Sequence, residues 1–169
     1  MLELFRPRRV ASTLADLEPA ALAAQGIRGL VVDLDNTLVA YGSAAPTEEA
    51  RRWVGAARAA GLRVVLVTNN RTRRTRALAE GLELPVASGL MKPSTSGLRR
   101  ALAMMALMPG ETAIVGDQLL TDILAGNRLG LFTILVRPMG RREFPTTRLI
   151  NRTIERLLWR LLRLPSRPA

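Results

Sequence analysis

Histidine and cysteine are both absent from this chain of 169 residues. Their absence removes imidazole general bases, Ser-His-Asp triads, thiolate nucleophiles, phosphohistidine chemistry and the usual His/Cys zinc sites. Carboxylates, hydroxyls, an amine and a hard oxygen-liganded cation such as Mg²⁺ remain for catalysis. No disulfide holds the fold together. Long apolar runs are missing too. The opening Met1-Leu2-Glu3-Leu4-Phe5-Arg6-Pro7 lacks the stretch of a secretory signal, and no later segment has the roughly twenty apolar residues of a membrane span. The expectation is a cytoplasmic protein, with peripheral contact at the inner face of a membrane left open. Hydrophobic content is normal for a globular chain, and the length suits one domain with a sizeable core.

Lysine is nearly absent as well: of 25 basic residues only Lys92 is a lysine, and the net charge is +11. A coding bias toward arginine is one reading of that ratio. An anionic partner (nucleic acid, anionic lipid or a polyphosphorylated substrate) is compatible with it.

Against this background stands Leu30-Val31-Val32-Asp33-Leu34-Asp35-Asn36-Thr37, a hydrophobic run ending in two aspartates. Such a run reads as a buried strand of a parallel sheet, and open α/β sheets bind ligands beyond the carboxyl ends of their strands. Side chains on a strand repeat with period two, so Asp33 and Asp35 point the same way. Two carboxylates so placed repel, and a cation, a shared proton or covalent chemistry must offset the repulsion.

The rest of the chain alternates strands and helices. Residues 8 to 24 read as helical, broken near Pro19. A helix is expected over 47–60, with Thr47 as cap and Gly61 as terminator, then a strand over 62–67. A polar helix over 71–80, a short strand over 85–87 and a helix over 94–107 follow. Strands over 112–115 and 131–136 flank a helix over 122–129 that Gly130 closes. This βα alternation predicts a Rossmann-like three-layer α/β/α domain around a mainly parallel sheet of about five strands.

Four polar segments fall at strand ends or helix starts: Asp33-Leu34-Asp35-Asn36-Thr37, Val67-Thr68-Asn69, Lys92-Pro93, and Gly116-Asp117-Gln118-Leu119-Leu120-Thr121-Asp122. Singly none is decisive; a strand ending in Thr-Asn is commonplace and Gly-Asp is often only a turn. In this order they resemble the signature of the haloacid dehalogenase (HAD) superfamily, in its Asp-x-Asp-x-Thr phosphatase branch. The likeness is closer to YqeG-type HAD phosphatases of subfamily IIIA, which are related to phosphatidylglycerophosphate phosphatases. Gly126-Asn127-Arg128-Leu129-Gly130, Phe5-x-Pro7 and Gly26-Ile27 match that family too.

The resemblance implies a HAD phosphatase domain over 27–136, between an N-terminal helical extension over 1–26 and a basic amphipathic tail over 137–169. It implies Asp33 as nucleophile, forming an aspartyl-phosphate, and Asp35 as general acid and then base. Mg²⁺ would sit between the Asp33 carboxylate, the Asp35 backbone carbonyl and Asp117. Thr68, a backbone amide near Asn69, and Lys92 would hold the phosphoryl group, with Thr37 and Asp122 in support. A lone ammonium retained in an arginine-rich chain points to a position where a guanidinium fork will not serve.

Only about ten residues separate Thr37 from the next helix, and few separate Val86 from Lys92, so no cap domain fits at either place. An open site suits a phosphate carried on something large. Arg71, Arg73, Arg74 and Arg76 begin the following helix, so at least one is expected at the mouth, where it meets a second phosphate or merely solvent. In the tail, Ile150, Ile154, Leu157, Leu158, Leu161, Leu162 and Leu164 share one helical face. Arg152, Arg156, Arg160 and Arg163 share the other, with Trp159 among them. The apolar face either packs on the domain or lies in a membrane interface, and Trp159 looks ill placed for packing.

The leading expectation is Mg²⁺-dependent hydrolysis of a phosphomonoester on a lipid headgroup, phosphatidylglycerophosphate, with peripheral contact to an anionic membrane. The alternatives are a polynucleotide-end phosphatase, with nucleic acid as second-choice partner, a soluble nucleotide or metabolite phosphatase, and a non-catalytic RNA- or ribosome-binding protein on a HAD scaffold. The oligomeric state is left open.

Overall fold

A computed structural model describes residues 2–69, 72–87, 89, 92–140 and 148–164, with backbone alone at 148–153. Asn70, Arg71, the face assignments of Ile150 and Arg152, and tail residues 141–147 and 165–169 lie outside the described residues.

Five parallel strands form one sheet: β1 (Arg9–Ala11), β2 (Gly29–Val32), β3 (Arg63–Leu66), β4 (Thr112–Gly116) and β5 (Phe132–Val136), in the spatial order β1-β5-β4-β2-β3. The helices are α1 (Pro19–Ala24), α2 (Glu48–Ala59), α3 (Arg73–Gly81), α4 (Ser96–Met105), α5 (Leu124–Leu129) and α6 (Arg148–Leu161). Short 3₁₀ turns occupy Leu2–Phe5 and Pro109–Glu111, and a single π turn, Leu119–Ile123, leads into α5. The expected three-layer architecture is therefore present, and no cap interrupts the described residues between Thr37 and α2.

Every residue of β2 is buried, as a strand covered on both faces must be. Val32, Leu66 and Val115 face one layer with Trp53, Val54 and Leu78; Val31, Val65 and Ile114 face the other with Leu98, Ala101 and Met105. Thr47 caps α2 as expected, its side chain accepting from the Ala50 amide at 3.1 Å. Gly130, with φ +79°, closes α5.

Two readings need correction. Residues 8 to 24 are not a continuous helical extension: Arg9–Ala11 is an edge strand paired with Ile134–Val136, and only Pro19–Ala24 is helical. Leu14 and Leu17 are core residues of the intervening turn; their i,i+3 spacing imitates a helix. Residues 85–87 form no full strand, only an isolated bridge between Val86 and Leu66. The fifth strand of the sheet is thus β1.

Register positions the site. Val32 lies opposite both Leu66 and Val115, so Asp33, Val67 and Gly116 leave the sheet at one level. From β2 the chain goes to one side to make β3, then crosses back to make β4 on the other. That reversal of strand order creates the crevice where such sheets bind ligands.

Candidate active site

Four segments converge there. Asp33 follows β2, its amide donating to the Val115 carbonyl at 2.9 Å. Its side chain is buried against Lys92, whose Nζ donates to Asp33 Oδ1 at 2.5 Å and to Asp122 Oδ1 at 2.5 Å. The Val67 carbonyl lies 3.4 Å from the same ammonium. Lys92, Asp122, Asp33 and Asp117 are all buried, so this is an ionic cluster largely withdrawn from water.

Burial governs the charges. It pushes the Asp33 carboxyl up to about 7; Lys92 opposes the rise, and Asp122 and Asp35 add to it. Asp117 is raised well above the usual carboxylate range, first by burial, then by Asp33 and Asp122. For Lys92 burial alone acts downward, but Asp122 and Asp33 outweigh it and hold the ammonium charged.

Local sequence explains the closeness. A Cβ on Gly116 would stand 2.3 Å from the Asp122 carboxyl carbon, so only glycine lets the π turn fold Asp122 back over the strand end. Asp122 Oδ2 accepts from the Gln118 amide at 3.2 Å, leaving Oδ1 for Lys92. Asn69 clamps the Lys92 backbone: its Oδ1 accepts from the Lys92 amide at 2.7 Å, and its Nδ2 donates to the Lys92 carbonyl at 3.4 Å. The side chain thus holds the lysine loop, while the phosphate contact expected here is a backbone amide. Thr68 stands half-buried beside it, just past β3.

Asp35 looks outward. Arg74 of α3 donates through Nη2 to Asp35 Oδ1 at 2.5 Å and through Nη1 to the Ser43 carbonyl at 3.2 Å, with its guanidinium 5.8 Å from the Tyr41 ring centroid. The arginine expected at the mouth is therefore Arg74, while Arg73 and Arg76 face solvent. Asn36 adopts φ +63°, a conformation Asn tolerates better than most residues. Its Oδ1 accepts from the Tyr41 amide at 3.1 Å, and its carbonyl accepts from the Met139 amide at 2.8 Å. Tyr41, the role of Asn36 and the Gly116 clearance were not singled out from sequence, and Arg74 was one of four arginines named there. The Asp-Asn turn and the glycine before Asp117 were the available signals.

Two buried oxygens, Thr37 Oγ1 and Asp117 Oδ1, have no hydrogen-bond partner among the described residues. The single Lys92 charge faces Asp33 and Asp122, so Asp117 is left with a buried oxygen unpaired. A hard cation fits that donor set: Mg²⁺ takes one or two carboxylates and keeps several waters. Among the described residues no three acidic side chains form a complete cage. The carboxylates available to such a cation there are those of Asp33 and Asp117.

A mainly parallel α/β sheet with Asp-x-Asp at the end of one strand and Gly-Asp at the end of its neighbour defines the HAD class of phosphatases, and the comparisons agree. Residues 89–142 match the HAD-hydrolase-like family model. The chain is 34% identical to the probable phosphatase YqeG of Bacillus subtilis over 154 residues, covering 91% of this chain and 89% of that one. It therefore belongs to the YqeG-type family of HAD phosphatases. It is also 30% identical to the chloroplastic phosphatidylglycerophosphate phosphatase 1 of Chlamydomonas reinhardtii, across 90% of this chain but 60% of that protein. In fold it resembles a putative HAD family hydrolase from Streptomyces avermitilis (TM-score 0.55, 17% identity, 70% and 76% of the two chains). A second fold likeness is 3-deoxy-D-manno-octulosonate 8-phosphate phosphatase from Yersinia pestis (TM-score 0.53, 16% identity, 86% and 87%).

Proposed function

We propose that this phosphatase is Mg²⁺-dependent, works through an aspartyl-phosphate on Asp33, and removes the terminal phosphate of phosphatidylglycerophosphate. The observation that carries the reaction is the buried cluster itself: Lys92 bridging Asp33 and Asp122 at 2.5 Å each, beside an Asp117 with an unpaired oxygen.

Asp33, Asp117 and the Asp35 carbonyl would hold Mg²⁺, which supplies fixed positive charge against the carboxylates and the phosphoryl oxygens. The Asp33 carboxylate attacks phosphorus while Lys92, Thr68 and the backbone near Asn69 hold the equatorial oxygens. Asp35 donates a proton to the leaving oxygen. It then takes one from the water that hydrolyses the acyl phosphate, restoring Asp33. Asp122 keeps Lys92 aimed at the reacting group, and Thr37 lies buried just beyond Asp35 as a supporting residue.

Three features support the lipid headgroup. Two relatives that match most of this chain are named phosphatidylglycerophosphate phosphatases, at 30% and 29% identity. No cap stands over the described site. Arg74 stands beside Asp35, where a substrate's second, phosphodiester charge would arrive. The test is a panel with Mg²⁺ or with EDTA: phosphatidylglycerophosphate in mixed micelles, nucleotides, sugar phosphates, and oligonucleotides phosphorylated at either end. Turnover of the lipid at least tenfold above the others, lost in EDTA, is expected. Preference for an oligonucleotide end or a soluble metabolite would replace the lipid reading.

A further inference from the structure

The tail helix does not choose between packing on the domain and facing outward; it does both, with different stripes. Leu158 and Leu162 are 7% and 2% exposed, and Leu158 packs with Leu119, Ile123 and Leu135. Trp159, which a wheel places among arginines, is half-buried against the same cluster. Glu155 completes this stripe, its Oε1 accepting from the Leu120 amide at 2.9 Å, two residues from Asp122. At 100° per residue the next arc carries Arg156 and Arg160, both exposed. The arc after that carries Leu157, Leu161 and Ile154, which are 56%, 55% and 40% exposed.

Leu2 and Leu4 are exposed on the N-terminal turn, which Arg6 ties to α6 through the Leu162 carbonyl at 3.1 Å. Among the described residues no helix is long and apolar enough to cross a membrane. An aliphatic stripe bordered by arginines instead suits a helix lying in an interface, its apolar side chains in the acyl boundary and its cations among anionic headgroups.

We infer that the Ile154–Leu157–Leu161 stripe of α6, with Arg156 and Arg160, docks the enzyme on an anionic lipid surface. This deepens the lipid-headgroup reading above and rests on it for the partner's role as substrate carrier. The surface itself favours lipid over other partners. Nucleic acid pairs cations with aromatic platforms, whereas the exposed stripe is aliphatic and Trp159 is turned toward the domain. A twofold contact with a second copy would set arginine against arginine. The Glu155–Leu120 bond then links the docked helix to the turn carrying Asp122.

The test is co-sedimentation of the full chain with vesicles of phosphatidylcholine alone or mixed with phosphatidylglycerol. Binding to the mixed vesicles, weakened by salt, is expected. The double change Leu157→Ser and Leu161→Ser should weaken it about tenfold or more. Arg156→Gln with Arg160→Gln should weaken it about fivefold per charge and abolish most of the preference for anionic lipid. Met104→Ser with Met108→Ser, exposed apolar positions elsewhere, should bind as the parent. All variants should turn over p-nitrophenyl phosphate normally, which shows that they are folded.

Equal binding of the leucine variant and the parent would overturn the inference. So would absence of vesicle binding, or a leucine variant that instead loses self-association or binding to a single-stranded RNA. These outcomes are separable from the substrate reading. Micellar lipid turned over without vesicle binding removes only the docking face, and vesicle binding without lipid turnover removes only the substrate.

Discussion

Asp33 and Asp35 are two residues apart just past the end of one strand, yet they live in different surroundings. The inner carboxylate meets a buried lysine that is itself pinned between two acids. The outer one meets a half-buried arginine that also reaches the Ser43 carbonyl and the Tyr41 ring. An ammonium is a compact point charge and fits between two carboxylates 2.5 Å away on either side; a planar fork suits several partners spread around a mouth. In a chain where every other basic residue is arginine, the one lysine is at the inner position. Both acids lie past the end of β2, Asp33 against Lys92 and Asp35 against Arg74, and those neighbours make them chemically distinct.

The strongest way to break that distinction is to neutralise each acid in turn. Asp33→Asn should lower p-nitrophenyl phosphate turnover by about 10⁴-fold or more, since it removes the nucleophile. Asp35→Asn should lose roughly 10² to 10⁴-fold as an acid–base lesion, and with this good leaving group it should accumulate the phosphoenzyme. Acid-quench mass spectrometry reads that intermediate on Asp33. If the label instead accumulates in Asp33→Asn, the two roles are reversed.

Charge-preserving swaps sharpen the comparison at the cations. Lys92→Arg should cost about 10² to 10³-fold in kcat, because a guanidinium cannot enter the space between Asp33 and Asp122. Arg74→Lys should change kcat on p-nitrophenyl phosphate by less than about fivefold, with any larger effect confined to KM for substrates carrying a second charge. Equal losses from the two swaps would mean that inner and outer cations are under the same constraint.

Sequence made the inner half of the site more legible than the outer half, for a physical reason. Doubly buried strands announce themselves as Val/Leu runs, and the polar residues that end them stand out. Thus Asp33, Thr68, Lys92 and Asp117 are found at the crevice where the βα alternation points. Arg74 was only one of four clustered arginines, because which of them turns inward depends on the phase of α3. That phase is set by Thr72, whose side chain caps the Thr75 amide at 3.3 Å. The strand β1 was missed because three residues at a sheet edge carry no periodicity. Trp159 was misjudged because a helical wheel orders side chains around an axis but does not say which arc the domain covers.

The smallest effect concerns stability, and it again separates the inner acid from ordinary carboxylates. Asp33 has a folded pKa raised from 3.8 to about 7, so between those values the folded state holds more protons than the unfolded one. Stability from this group is therefore present at low pH and lost as pH rises toward 7. Asp117 acts with the same sign. The raised Lys92 contributes stability that is lost only above its unfolded value of 10.5, outside this window. In EDTA, the stability of Asp33→Asn relative to the parent should therefore rise by roughly 2 kcal/mol between pH 5 and pH 8. That corresponds to a few degrees in Tm. Added Mg²⁺ should narrow the gap at pH 8 by stabilising only the parent, whose Asp33 carboxylate it can bind. Differential scanning fluorimetry across pH 5 to 8 reads both effects. A gap flat with pH would mean that Lys92 alone keeps Asp33 ionised, and that the inner carboxylate needs no second cation.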